Sequence, residues 1–298
     1  MSFASYTLYL LDTLFFASLL FLIIAGLNLI YGVFRVVNLA HASLFTLGGY
    51  VAAWTTLSLV APRFDAIIAL LMLPVMLAII VTITLSLAMV TPILRYSQDK
   101  GEAFQLIATF ALLIIFEDVF KLIWGPQPLF ADQPFFKLGF VDLGGLRYPV
   151  YKLYVILVSA ILALALWFLT YKTSFGLILR AASMDPHMAT ALGLNTGRFL
   201  VMVIVVASAL AGLGGSLYVP VASVQLGIST EFLVIAFVGM VIGGLGSFLG
   251  AIIGSLIVSI LRTLSLILFP ELELAILYVA AILILLFRPE GIGGGKGW

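Results

Sequence analysis

The sequence contains few of the residues on which soluble enzymes depend. It has no cysteine, which excludes disulfides and thiol chemistry, and only two histidines in 298 residues. Charged residues make up 9% of the chain, whereas soluble domains carry about 25%. The net charge of +1 gives no polybasic surface for nucleic acid. These deficits point away from soluble, metal-binding and nucleic-acid-binding proteins.

Recognisable catalytic motifs are also missing. No G-x-x-x-x-G-K-[ST] phosphate loop occurs, and the terminal GIGGGKG of residues 291–297 lacks its spacing, its Ser/Thr and a preceding strand. No H-E-x-x-H motif, serine nucleophile elbow or cluster of metal ligands is present. We therefore predict that the chain is not an enzyme and binds no cofactor, so that energy for any pumping comes from another subunit.

Apolar residues are what the sequence has in excess, at 64% of the chain. The runs reach the roughly 20 residues that a helix needs to cross a bilayer, and they lack the alternation of a membrane β-barrel. We predict an all-α polytopic bundle, a single domain over residues 1–298, with eight or nine crossings. The predicted spans are 8–30, a second ending near 60, 66–94, 103–124, 150–170, 199–218, two within 232–268 and 274–287.

Basic residues are distributed unequally between the loops, which indicates the orientation. The connections on the side of loop 171–198, together with the C-terminal segment, carry eight basic residues. The short turns on the other side carry Arg63 alone. This predicts a cytoplasmic loop 171–198, a cytoplasmic C-terminus, an outer N-terminus and an external cap over residues 125–149. The inner set is Arg35, Arg95, Lys100, Lys172, Arg180, Arg198, Arg288 and Lys296.

Polar residues and glycines interrupt two of the apolar stretches. Polar side chains at membrane depth are costly unless they face protein or water, and glycines there permit close packing or a broken helix. Helix packing and a solute path or gate explain both stretches equally well, and the glycines of the second fit two short spans or a re-entrant pair. The candidate path or gate residues are Asn28, Asn38, His41, Ser43, Gly243, Gly244 and Gly246.

An acidic pair, Glu117 and Asp118, lies near the end of the fourth span. Such a pair serves as a proton relay in some carriers. Lys121 follows within four residues, close to the membrane interface. We therefore predict a solvated cluster in which these charges pair locally.

The loop 171–198 contains a predicted short helix. Asp185 suits the N-cap, Pro186 the first helical position and Gly193 a left-handed stop. Met188 and Leu192 share one face, with Ala189 beside them. This apolar face either docks on a soluble partner or packs on its own protein or the lipid interface.

Four segments in order resemble the branched-chain amino acid ABC transporter permeases of the LivH kind. They are GLNLIYGVFRVVNLAHASLFTLGGY (26–50), FGLILRAASMDPHMATALGLN (175–195), VGMVIGGLGSFLGAIIGS (238–255) and LLFRPEGIGG (285–294). The resemblance implies a type II-like importer bundle whose loop 171–198 contacts an ATPase. The positions that recur in that segment are Arg180, Ala182, Asp185, Ala189 and Gly193. The general importer signature E-A-A-x-x-x-G is not matched, because no Glu precedes Ala181-Ala182 and Gly193 lies too far along.

The resemblance also implies a set of partners. It predicts a second, LivM-like permease, two ATPase subunits that bind ATP and magnesium, and an extracytoplasmic substrate-binding protein, in the bacterial inner membrane. The expected function is import of branched-chain or related amino acids, with urea, short amides and other amino acids left open. The alternatives are a stand-alone carrier or channel for a small polar solute, and a membrane protein without a solute path.

Overall fold

The structure is a computed structural model that describes residues 3–63, 66–97, 100–142, 145–184 and 196–293. Helices form nearly all of it, and the predicted all-α bundle is confirmed. The helices are α1 Phe3–Phe34, α2 His41–Thr55, α3 Ile67–Leu85, α4 Thr91–Ser97, α5 Glu102–Trp124, α6 Gln133–Leu138, α7 Val150–Lys172, α8 Ser174–Met184, α9 Thr196–Tyr218, α10 Ile228–Gly243, α11 Phe248–Leu268 and α12 Glu273–Phe287. Wider helical turns extend α2 through Thr56–Val60 and join α3 to α4 through Ser86–Val90.

Helix α1 forms the centre of the bundle. It packs against α7, α9, α10 and α11, and 89% of its most apolar 18-residue stretch is buried. The corresponding stretch of α12 is only 11% buried, so α12 exposes apolar side chains outwards. A helix that is apolar on every side is suited either to the inside of a protein or to lipid. We infer that α1 lies inside the bundle and that α12 faces lipid.

Small residues allow α2 and α9 to pack with their backbones in contact. A Cβ added to Gly48 would overlap the carbonyl oxygen of Gly212 and lie 2.6 Å from its Cα. A Cβ on Gly215 would overlap the carbonyl of Phe45. The run of small residues in α9 therefore serves close helix packing, as is common in membranes.

Seven helical segments of the described chain are long and apolar enough to cross a membrane. Two further helices are not among these seven. Helix α5 has 23 residues but carries charged residues near its end, and helix α10 has only 16 residues. The count of eight or nine crossings therefore stays a prediction. The two spans predicted within 232–268 are separate helices, α10 and α11, joined at Gly244 and Gly246, whose φ angles are +111° and +70°.

The connections contain two helices and a pair of strands that were not predicted from the sequence. The segment 125–149 holds α6 and an antiparallel hairpin of β1 Phe140–Asp142 and β2 Arg147–Pro149. Helix α8 occupies the first part of loop 171–198, where only the later helix of 185–193 was predicted. Residues 185–195 lie outside the described residues, so that later helix stays a prediction.

Candidate functional site

Asn28 connects the two regions that the sequence singled out. Its side-chain Nδ2 donates a hydrogen bond to the carbonyl of Ser247 at 2.9 Å, and the N–H of Gly246 donates to its Oδ1 at 3.0 Å. The side chain is fully buried. Helix α1 is thereby attached to the glycine turn between α10 and α11, residues 244–247, by two buried hydrogen bonds.

The C-terminal segment 288–293 holds the same turn from another direction. The N–H of Ile292 donates to the carbonyl of Ile242 at 2.9 Å, and that of Gly293 donates to Gly243 at 2.7 Å. The last carbonyls of a helix have no partner within the helix, so this segment caps α10. Gly291 approaches so closely that a Cβ on it would lie 2.6 Å from the Cα of Gly244.

The glycine turn lies deeper than the end of α1. Asn28 precedes the last residue of α1, Phe34, by six residues, which corresponds to about 9 Å along the helix. Helix α10, with 16 residues, is about 24 Å long, short of the roughly 30 Å hydrocarbon core. The turn is therefore recessed into the bundle. It lies at the same end of the bundle as loop 171–198.

Asn38, His41 and Ser43 are in a different state from Asn28. All three side chains are buried, at the junction of the irregular segment 35–40 with the start of α2. Their polar side-chain atoms have no hydrogen-bonding partner within the described part of the chain. The backbone of Ile23 lies near the His41 ring but does not form a hydrogen bond with either ring nitrogen. A buried polar atom without a partner costs about 1–3 kcal/mol, so these groups are suited to bind water or a polar solute.

Helix α1 approaches His41 through a glycine. A Cβ added to Gly26 would lie 2.5 Å from Nε2 of His41 and 3.1 Å from the carbonyl of Ala207 in α9. The position of the imidazole therefore depends on the lack of a side chain at residue 26. The structure brings α1, α2 and α9 together around this ring.

Two of the predicted coupling residues lie in α8, and both are engaged within the chain. The Arg180 guanidinium donates to the carbonyl of Thr170 at the end of α7, and its Cζ lies 5.7 Å from the centre of the Tyr171 ring. Ala182 is buried in the core. These contacts join α8 to α7, and whether Arg180 and Ala182 contact an ATPase stays a prediction. The other predicted coupling residues, Asp185, Pro186, Met188, Ala189, Leu192 and Gly193, lie outside the described residues.

The sequence contained a signal for α8 that was not used. Phe175, Ile178, Leu179 and Ala182 have the i, i+3, i+4, i+7 spacing of an amphipathic helix. Leu179 and Ala182 are buried, and the other two are partly buried against the core. The charged residues around this segment obscured the pattern.

The prediction for Glu117 was wrong in its partner. Its Oε2 accepts a hydrogen bond from the N–H of Gly227 at 3.0 Å, and it forms no ion pair with Lys121 among the described contacts. Gly227 is the N-cap of α10, and the positive end of a helix dipole stabilises a carboxylate. Glu117 therefore joins α5 to α10, while Asp118 is exposed.

Residues 9–286 match the protein family described as the permease component of a branched-chain amino acid transport system. This chain belongs to that family of permeases. Similar curated proteins include the high-affinity branched-chain amino acid transport permease LivH of Escherichia coli (strain K12), 26% identical over 280 residues that cover 92% of this permease and 90% of LivH. The probable LivH of Methanocaldococcus jannaschii is 28% identical, over 84% of this permease and 78% of that protein.

Another relative, which matches over a shorter stretch, is named for a different substrate. The guanosine ABC transporter permease protein NupQ of Bacillus subtilis is 32% identical over 127 residues, which cover 40% of this permease and 38% of NupQ. No solved structure matches this permease significantly. The multi-pass helical bundle and the family together make the chain a membrane transport permease.

Proposed function

We propose that this permease is the transmembrane subunit of an ATP-driven importer of branched-chain or related amino acids. The observation that carries the proposal is the family match over residues 9–286, nearly the whole chain. The substrate class is that for which the LivH relatives are named. A second LivM-like permease, two ATPase subunits and a substrate-binding protein complete the assembly in the bacterial inner membrane, surrounded by lipid.

The proposed cycle starts at the outer face. A loaded binding protein docks over residues 125–149 and releases its amino acid towards the pair of permeases. ATP binding then closes the two ATPase subunits on the cytoplasmic side, where loop 171–198 and the C-terminus lie. Residues 185–193 contact the ATPase and pass on its movement.

The contacts of α8 support this transmission. Arg180 ties α8 to the last turn of α7 through the Thr170 carbonyl, and Ala182 is buried in the core. A force applied just after Met184, where α8 ends, therefore reaches α7 directly. A helix anchored in this way is suited to move as one body with its neighbour.

The glycine turn is our candidate for the inner gate. Any movement of α10 and α11 away from α1 must break the two hydrogen bonds of Asn28. Asn38, His41 and Ser43 are the candidate path, because their buried polar atoms have no hydrogen-bonding partner within the described part of the chain. The hydrogen bonds of Asn28 and the unpartnered polar atoms of Asn38, His41 and Ser43 support these two proposals.

Co-purification tests the assembly. The tagged permease is expressed with its genomic neighbours, extracted in detergent and captured, and its partners are identified by mass spectrometry. We expect a P-loop ATPase and a second permease. Recovery of the chain alone, or only with itself, would contradict the importer and favour a stand-alone carrier.

Reconstitution tests the transport. Proteoliposomes that contain the purified complex should take up labelled L-leucine only with the binding protein and ATP present. Excess guanosine serves as the competitor suggested by NupQ and should leave leucine uptake unchanged. Uptake driven by a proton gradient without ATP would overturn the proposal.

A further inference from the structure

A cavity of about 630 Å³ lies at the end of the bundle opposite loop 171–198. Residues from the starts of α7 and α10, the ends of α9 and α11 and the first half of α1 line it. Loop 171–198 connects the end of α7 to the start of α9, so it belongs to the other end. The volume falls within the range of about 300–1,000 Å³ that is usual for small-molecule sites.

One acid–base pair of the cavity is satisfied within the chain. The Lys152 Nζ lies 2.6 Å from Oδ1 of Asp12, and the hydroxyl of Tyr148 donates to the same oxygen at 3.2 Å. Burial, with the adjacent Asp12 carboxylate, raises the pKa of Tyr148 above its ordinary value, so the phenol keeps its proton. This pair contributes no net charge to the cavity.

Arg262 is held in place but retains free donors. Its Nε donates to Oε1 of Glu273 at 2.7 Å, and its Cζ stands 4.0 Å above the centre of the Phe16 ring. An arginine has five N–H donors in a planar fork, and the described contacts use only the one on Nε. The terminal amino groups remain available for a carboxylate, which arginine binds well.

Glu231 supplies the opposite charge. It lies in the first turn of α10, is exposed, lines the cavity and forms no ion pair with any other described residue. With Asp12 paired to Lys152 and Arg262 to Glu273, Glu231 is the remaining carboxylate of the lining. It is suited to bind an ammonium group.

The wall between these charges is apolar. Phe16 and Phe232 line it with ring centres 6.3 Å apart, and Tyr218 stands edge-on to Phe232 at 5.1 Å. Aromatic rings of this kind bury an aliphatic side chain. The cavity thus offers a carboxylate-binding group, an ammonium-binding group and an apolar surface.

We propose that this outer cavity binds a zwitterionic amino acid with an apolar side chain, its carboxylate on Arg262, its ammonium on Glu231 and its side chain against Phe16 and Phe232. The inference rests on the proposed function and adds a substrate site to it. An anion or a cation alone would satisfy only one of the two charged groups. The cavity lies where an amino acid released by an outer binding protein would arrive.

Equilibrium binding to the full chain tests the site without the ATPase. The permease is placed in phosphatidylglycerol nanodiscs and titrated with L-leucine, leucinol, which lacks the carboxylate, and 4-methylpentanoate, which lacks the ammonium. Saturation-transfer NMR is suited to weak ligands and reports each affinity. Leucine should bind saturably, and each analogue at least about tenfold more weakly, because each loses a charge-assisted hydrogen bond.

Two variants assign the ends of the ligand. Glu231→Gln removes the charge of an exposed side chain, and Arg262→Lys keeps the charge beside Glu273 but loses the planar fork. Each should weaken leucine binding at least about tenfold. The exposed residues Arg63 and Glu271 do not line the cavity, so Arg63→Gln and Glu271→Gln are matched controls that should bind leucine as the parent does.

Several results would overturn the site. The first is that the parent does not bind leucine saturably. The second is that both variants bind leucine with the affinity of the parent. The third is that the parent binds guanosine and leucine does not displace it. Displacement of leucine by added phosphatidylethanolamine would show a site for an ammonium-bearing lipid headgroup instead. ATP-driven leucine uptake that survives Glu231→Gln would remove the site but leave the importer standing. Leucine binding by the isolated chain, combined with the failure of any ATPase to co-purify with it, would keep the site and remove the importer.

Discussion

Replacement of Asn28 by alanine should loosen the glycine turn. Asn28→Ala removes both hydrogen bonds and leaves the Gly246 N–H and the Ser247 carbonyl buried without that partner. Each such group costs about 1–3 kcal/mol in proteins generally, and hydrogen bonds between membrane helices average about 0.6 kcal/mol. Because two bonds are lost together in a fully buried place, we expect the turn to open more easily by about 2–4 kcal/mol.

Hydrogen–deuterium exchange in nanodiscs measures this opening directly. A change of 2 kcal/mol corresponds to about 30-fold faster exchange of the Gly246 amide, followed in a peptide that contains residues 244–247. Ser18→Ala is the control in the same helix, since it removes only the bond from the Ser18 hydroxyl to the Leu14 carbonyl. Equal exchange in the two variants would refute the reasoning and leave the C-terminal segment as the group that holds the turn.

The remaining predictions concern packing, charge and coupling. Gly48→Val should prevent a stable fold, because its Cβ would overlap the backbone of α9. The control Gly214→Ala should fold, because its Cβ would meet only side chains, the Phe45 ring at 3.3 Å and the Cβ of Leu22 at 3.4 Å. A normal elution profile for Gly48→Val on size-exclusion chromatography would contradict this. Glu117→Gln should lower the thermal midpoint by a few degrees, since it weakens a charge-assisted bond of about 1–2 kcal/mol at the start of α10, and should keep uptake within about twofold. Loss of uptake at normal stability would instead assign Glu117 to proton transfer. Leu192→Asp should abolish uptake while the protein still inserts and ATP is still hydrolysed, and uptake at the level of the parent would remove the docking role of that segment.

Helix positions followed closely from local sequence. The predicted span 103–124 is α5 at Glu102–Trp124, and the prediction for 150–170 is α7 at Val150–Lys172. Hydropathy and length decide such helices, because lipid leaves the backbone no other hydrogen-bonding partner. The glycine turn was predictable for a related reason, since an apolar run over 232–268 is too long for one crossing.

The two mistakes came from interpreting charged residues by their sequence neighbours. Helix α8 was missed because the charged residues around it obscured its apolar spacing, and Glu117 was paired with its sequence neighbour Lys121. The structure instead places Glu117 at the N-terminus of α10, 110 residues along the chain. Partners of this kind follow from the packing of helices and not from nearby residues.

The sequence by itself determined the membrane class, the long apolar helices and the family of this permease, because those depend on composition, run length and motif order. Only the tertiary structure decided what each polar residue does. Asn28 and Asn38 lie ten positions apart in one stretch, yet Asn28 is satisfied by residues 246 and 247 while Asn38 has no partner in the described chain. The tertiary structure likewise brings Glu231 and Arg262, which are distant in sequence, into the lining of one cavity. Hydrogen bonds and ion pairs act over a few ångströms, so their partners are chosen by whichever helices pack together.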